Sequence, residues 1–113
     1  MTDFKEAVKT ACLAIEDKKG YDIKVLNISG LSPMADYFVL ASGDNVNQLH
    51  AIADEITDKL GEKKIFSKQT EGYNPGNWIL MDYGDFIIHL FNKESRDFYN
   101  LERIWKDAVL EEY

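Results

Sequence analysis

The chain has 113 residues, 45% of them hydrophobic and 29% charged, the composition of one globular domain long enough to bury a core without staples. Its formal charge is −7, from 20 acidic and 13 basic side chains. That balance excludes general nucleic-acid binding, which needs a net basic surface, and suits a cationic protein surface as partner. The lone Cys12 excludes an internal disulfide and a multi-cysteine zinc site, and reads as a small core residue in a reducing compartment. No apolar run approaches the ~20 residues of a membrane span, and the first residues are not those of a signal peptide, so a cytoplasmic location is expected.

Phe4, Val8, Ala11, Cys12 and Ile15 fall on one face of a helix that Thr2 or Asp3 can cap and Gly20 ends. Residues 21–28 read as a strand and residues 29–33 as a loop. Residues 37–42 are apolar at both alternating sets of positions, as in a strand covered on both faces. Asp44 or Asn45 can cap a second helix, with Val46, Leu49, Ala53, Ile56 and Leu60 as its stripe and Gly61 as its stop. Residues 64–68 predict a short strand, and the turn-rich residues 71–77 a connection. Residues 78–82 and 86–91 are the strongest strands, and only Tyr83-Gly84-Asp85 lies between them, which predicts a tight antiparallel hairpin. From Lys93 onward the pattern is helical, with Phe98, Leu101, Ile104, Trp105 and Ala108 as the apolar stripe. The order α-β-β-α-β-β-β-α predicts one α/β domain over residues 1–113, a mixed five-stranded sheet flanked by helices.

Motifs for nucleotide cradling or a serine nucleophile are absent. His50 and Asp54 are four apart and share a solvated helix face, too few ligands for a metal. His89, between Ile87 and Phe91 on one strand face, reads as a hydrogen-bonded, partly buried ring. Asp82 and Asp85 follow a Ser42-Gly43 turn, an arrangement reminiscent of nucleotidyltransferases, in which carboxylates hold two cations against a triphosphate. Here the turn is reversed and no Asp-x-Asp follows it, so a magnesium enzyme built on Asp82 and Asp85 stands only as the alternative function. Otherwise these are solvated turn residues. Trp78, Leu80 and Asp82 share one strand face, with Ile79 and Met81 on the other. The Trp78 face is either core or an aromatic anchor ringed by carboxylates. Arg96, Tyr99, Glu102 and Arg103 lie beside the last apolar stripe, either as a solvated face or as an extension of that contact patch.

The stretches 22–28, 35–43, 48–53 and 78–89, with Glu71-Gly72 and Tyr99-Asn100-Leu101-Glu102-Arg103-Ile104-Trp105, resemble the ribosomal silencing factor family, also called Iojap-like. The likeness spans about residues 4–108, and Asp-Tyr-Gly-Asp-x-x-x-His followed by Tyr-x-Leu-Glu-x-x-Trp is its most specific part. It implies a fold related to nucleotidyltransferases without their active site, no catalysis and no cofactor or metal. It also implies a non-enzymatic role: binding the large ribosomal subunit through ribosomal protein fourteen, blocking the small subunit from joining, and so repressing translation under nutrient limitation. Carried over by position, the contact residues would be Glu71, Trp78, Leu80, Asp82, Arg96, Tyr99, Leu101 and Glu102. The turn-rich Asn74-Pro75-Gly76-Asn77 departs from the usual pattern before the tryptophan. Some family members self-associate, so a homodimer is admitted.

Overall fold

The periodicity of the first helix is realised as burial. In the computed structural model, which describes residues 4–33, 35–74 and 76–111, helix α1 (Phe4–Asp17) buries Ala7, Val8, Ala11, Cys12, Ala14 and Ile15. Thr2, Asp3 and the side chains of Phe4 and Ile104 lie outside the description, as does Pro75 of the turn-rich connection. Burial, reinforced by the Glu16 carboxylate, pushes the Cys12 thiol up to about 12, as befits a core residue. Strands β1 (Tyr21–Asn27) and β2 (Tyr37–Gly43) follow, then helix α2 (Val46–Glu62), whose first turn is capped by the Asn45 side chain accepting the Gln48 N–H. Strands β3 (Gln69–Glu71), β4 (Trp78–Asp82) and β5 (Phe86–Asn92) come next, then helices α3 (Lys93–Tyr99) and α4 (Leu101–Ile104) and strand β6 (Val109–Glu111).

The sheet order is β3-β4-β5-β2-β1-β6. Strands β2 and β5 pair in parallel, and the other neighbours are antiparallel. The two fully apolar strands are thus adjacent at the centre, where both faces are covered, which accounts for their lack of polar alternation. One face meets α1 and α2 through Val39, Ala41, Ile79, Met81, Ile88 and Leu90. The other carries Leu26, Phe38, Leu40, Ile87 and Phe91, against which Leu101, Trp105 and Ala108 pack.

Three expectations need correction. Residues 64–68 form no strand, because the C-terminus of α2 claims their backbone: Lys64 and Ile65 donate to the carbonyls of Gly61 and Leu60, with Lys64 at φ 65°. Pairing begins instead at Gln69, after the Lys68 N–H reaches the Asp82 carbonyl at 2.7 Å. The final helix is broken at Asn100, which sits in the left-handed region (φ 47°, ψ 58°) and caps α4 by accepting the Arg103 N–H. The chain then returns to the sheet, pairing Val109 with Asn27, so six strands replace five.

The approach to β4 depends on Gly72, at φ +78°, where an added Cβ would stand 2.0 Å from the Trp78 carbonyl oxygen. Gly72→Ala meets both a disfavoured backbone conformation and main chain that cannot swing aside. It should cost about 2 kcal/mol or more of stability in urea unfolding, whereas Gly30→Ala, with φ +84° but nothing within 4 Å, isolates the smaller conformational part.

Candidate partner-binding surface

Strand register settles which side chains share the second face of the sheet. Trp78, Leu80 and Asp82 stand opposite Phe91, His89 and Ile87 on β5, and on the other side Glu71 and Gln69 stand opposite Leu80 and Asp82. Cross-strand partners point the same way, so Glu71, Trp78, Leu80 and Asp82 lie on one surface. Helices α3 and α4 cover the central strands but leave the β3–β4 end open, and Trp78 and Leu80 are half-buried.

Trp78 is both core and surface. Its ring lies 4.4 Å from that of Tyr99 and 5.1 Å from that of Phe91, centroid to centroid. Its indole N–H donates to Nδ1 of the buried His89 at 3.1 Å, so the His89 ring carries its own proton on Nε2. That Nε2 is buried with no hydrogen-bond partner among the described residues, and Phe38 packs edge-on at 4.8 Å. Burial lowers His89 from its ordinary value to about 4. The ring is therefore a neutral acceptor that fixes the tryptophan, more deeply buried than the sequence pattern implied.

Arg96, expected on a solvated or contacting face, turns inward and is only 8% exposed. Its Nη1 donates to Ser42 Oγ at 2.8 Å and to the Asp22 carbonyl, and its Nε donates to Glu102 Oε1 at 2.8 Å. The second oxygen of Glu102 accepts from Lys24 Nζ at 2.9 Å. Burial pushes the Glu102 carboxyl up, but the hydrogen bonds from Arg96 and Lys24 outweigh it and hold the group below the usual carboxylate range. One guanidinium thus joins β1, β2, α3 and α4 across the break at Asn100. Of the two residues that flank that break, Tyr99 is thereby set against Trp78, 45% exposed, and Leu101 packs on the apolar cluster of the second face.

The acidic residues of the hairpin have structural work of their own. Asp82 Oδ1 accepts the Gly84 N–H at 2.8 Å and shapes the turn, and Gln69 donates to Glu71 at 2.7 Å. Asp85 is exposed, and its carbonyl accepts the N–H groups of Asp36 and Tyr37. No group of three or more potential metal ligands occurs among the described residues. His50 and Asp54 do share a face, but as partners of a residue outside the helix. The Tyr73 ring stacks on His50 at 3.9 Å, its carbonyl accepts from Nε2 and its hydroxyl donates to Asp54, which ties the loop before β4 to α2. Nothing in the spacing of His50 and Asp54 alone points to Tyr73. Phe98, expected in the core, is 82% exposed and packs edge-on against Tyr99 at 5.1 Å.

Two tests follow from this geometry. As pH falls from 6.5 to 4 the unfolded chain protonates its histidine before the folded chain does, so the stability tied to neutral His89 is complete above 6.5 and lost on the way to 4. The loss should be about 3 kcal/mol. His89→Asn keeps an acceptor for the indole without a titrating ring, so its urea-unfolding free energy should fall less steeply over that range. Arg96→Met removes the donors to Ser42 and Glu102, and should cost about 2–3 kcal/mol in the same assay at neutral pH. Arg96→Lys should recover only part, because an ammonium cannot reproduce the fork.

Comparison with known proteins places the chain. Residues 1–113 match the family described as "Ribosomal silencing factor during starvation". The protein named ribosomal silencing factor RsfS of Bacillus subtilis is 42% identical over 106 residues, covering 94% of this chain and 90% of that protein. The chloroplastic protein Iojap of Arabidopsis thaliana is 38% identical over 103 residues, 91% of this chain but 42% of the longer plant protein. A crystal structure of a Chromobacterium violaceum protein superposes with a TM-score of 0.90 at 34% identity, covering 93% of this chain and 88% of that one. One from Bacillus halodurans gives 0.85 at 36% identity, covering 96% and 99%. With a match along its whole length and the same fold at that level of identity, the chain belongs to the ribosomal silencing factor family.

Proposed function

We propose that the chain silences ribosomes by occupying a surface, with no chemical step. It docks the open β3–β4 end of its second sheet face on the large ribosomal subunit, through the cationic ribosomal protein fourteen, and so keeps the small subunit from joining. The observation that carries this reading is the half-buried Trp78 and Leu80 with the exposed Tyr99 ring against Trp78, on the strand face that also carries Glu71 and Asp82, in a chain of charge −7. A core of aromatic and aliphatic side chains with a polar rim is the usual anatomy of a protein interface. Carboxylates at that rim steer a basic partner and repel ribosomal RNA, so the docking is to protein on an RNA-rich particle. Arg96 and Glu102 serve it from beneath, by holding α3 and α4 in place. The starvation role in the family description fits a repressor active when nutrients are short, acting where ribosomes are assembled and used, in the cytoplasm.

Tyr99→Ala is a cleaner test than Trp78→Ala, because Trp78 also braces His89 and Phe91. Removing Tyr99 should weaken co-sedimentation with purified large subunits by about tenfold or more, while the melting temperature stays near that of the unmutated chain. Light scattering should show the unmutated chain, and not the variant, slowing association of the two subunits. Undiminished pelleting by the variant, or subunit joining unaffected by the unmutated chain, would overturn the reading.

A further inference from the structure

The left-handed break at Asn100 has an outcome opposite to the helical pattern: it expels Phe98. On one continuous helix Phe98 would share the buried stripe of Leu101 and Trp105; instead it is, among the described residues, the most exposed of the large hydrophobic side chains, at 82%. Water is a poor surrounding for a phenyl ring, and its neighbour here is the Tyr99 ring, nearly perpendicular to it at 5.1 Å. Tyr99 in turn lies 4.4 Å from Trp78, so three rings run in a row from the half-buried tryptophan to open solvent. One helical turn before Phe98, on the same side of α3, stands Glu94, and next to it in sequence stands Asp97; both are exposed, and neither has an ion pair among the described residues. Every other rim carboxylate named above is already held by a neighbour within the chain.

We propose that Phe98 and Glu94 form a socket for a cationic side chain, arginine above all, of the partner protein. The cation lies on the face of the Phe98 ring, with the Glu94 carboxylate alongside. The charge of this face favours such an occupant, since an exposed ring flanked by two free carboxylates attracts a guanidinium and repels a phosphodiester chain. A planar guanidinium can stack on the ring while its N–H groups bond the carboxylate, which a bare apolar hollow could not exploit. The inference rests on the docking face proposed above and extends it beyond Tyr99 to a residue that the sequence pattern assigned to the core.

Binding to purified large subunits, measured for four variants beside the unmutated chain, tests it. Phe98→Ala should weaken binding about fivefold or more, and Phe98→Leu should be equally weak, because it keeps apolar bulk without a π face. Phe98→Trp should restore binding, and Glu94→Gln should weaken it and reduce its dependence on salt. At this exposure none should move the melting temperature appreciably. Full binding by Phe98→Ala, alongside weak binding by Tyr99→Ala, overturns the socket and leaves the docking face standing. Rescue by Phe98→Leu makes the contact merely apolar and overturns the cationic occupant. Equal competition by protein-free ribosomal RNA, lost in Phe98→Ala, assigns the ring to base stacking and overturns it as well. No binding by the unmutated chain overturns the docking face and the socket together.

Discussion

The guanidinium of Arg96 is the constraint on which the rest of the second face depends. A sheet can be closed by a long helix lying across it, but here the covering element is two short helices of seven and four residues, neither stable alone. What fixes them is a buried charge whose hydrogen bonds reach two strands and the first turn of α4. Leaving such a group unpaired in the interior is costly, so the arrangement is nearly all-or-none: with Glu102 in place the helices are locked, and without it the charge would have to find water. Lys24 completes the pair on the outer side and holds the carboxylate ionised.

The same logic governs the aromatic row. Trp78 cannot bury itself fully without withdrawing from the proposed docking face, and it cannot stand free without losing register. The compromise is a half-buried ring pinned through its N–H to a histidine whose ring makes no other hydrogen bond among the described residues. Burial keeps that histidine neutral, which is the state able to accept the indole proton. An unsatisfied Nε2 in the core is the cost of this arrangement, and packing of Phe38 and Phe91 around the ring offsets part of it.

Most of the fold was legible in the residues because strong periodicities reported real burial. The stripes of α1 and α2, the two central strands and the hairpin 78–91 follow directly from spacing and turn residues. What escaped were features decided by backbone groups competing for partners. Residues 64–68 look like a strand until the carbonyls at the end of α2 claim their N–H groups. Asn100 looks like one more helical residue until its side chain caps the next helix. Strand β6 has two exposed apolar residues and no alternation to announce it. The geometry of the candidate site was legible to the same extent: the shared face of Trp78, Leu80 and Asp82 follows from strand alternation, whereas the inward turn of Arg96 depends on Asp22 and Ser42, more than fifty residues earlier in the chain.

Charge and geometry converge on how such a surface would work by exclusion. Blocking a large partner demands a long residence time, which is set by dissociation more than by encounter. Net acidity quickens encounter with a basic surface, but it does little to hold the complex together in physiological salt. Holding it falls to the apolar patch, and the loss of side-chain freedom on docking works against it. Here much of that loss has already occurred in the free protein: Trp78 is hydrogen-bonded to His89, Glu71 to Gln69, Asp82 to its own turn and Glu102 to Arg96 and Lys24. The carboxylates of the rim therefore act as fixed features of the surface. A rigid face of this kind favours slow release, and that is the kinetic property the proposed exclusion mechanism would need.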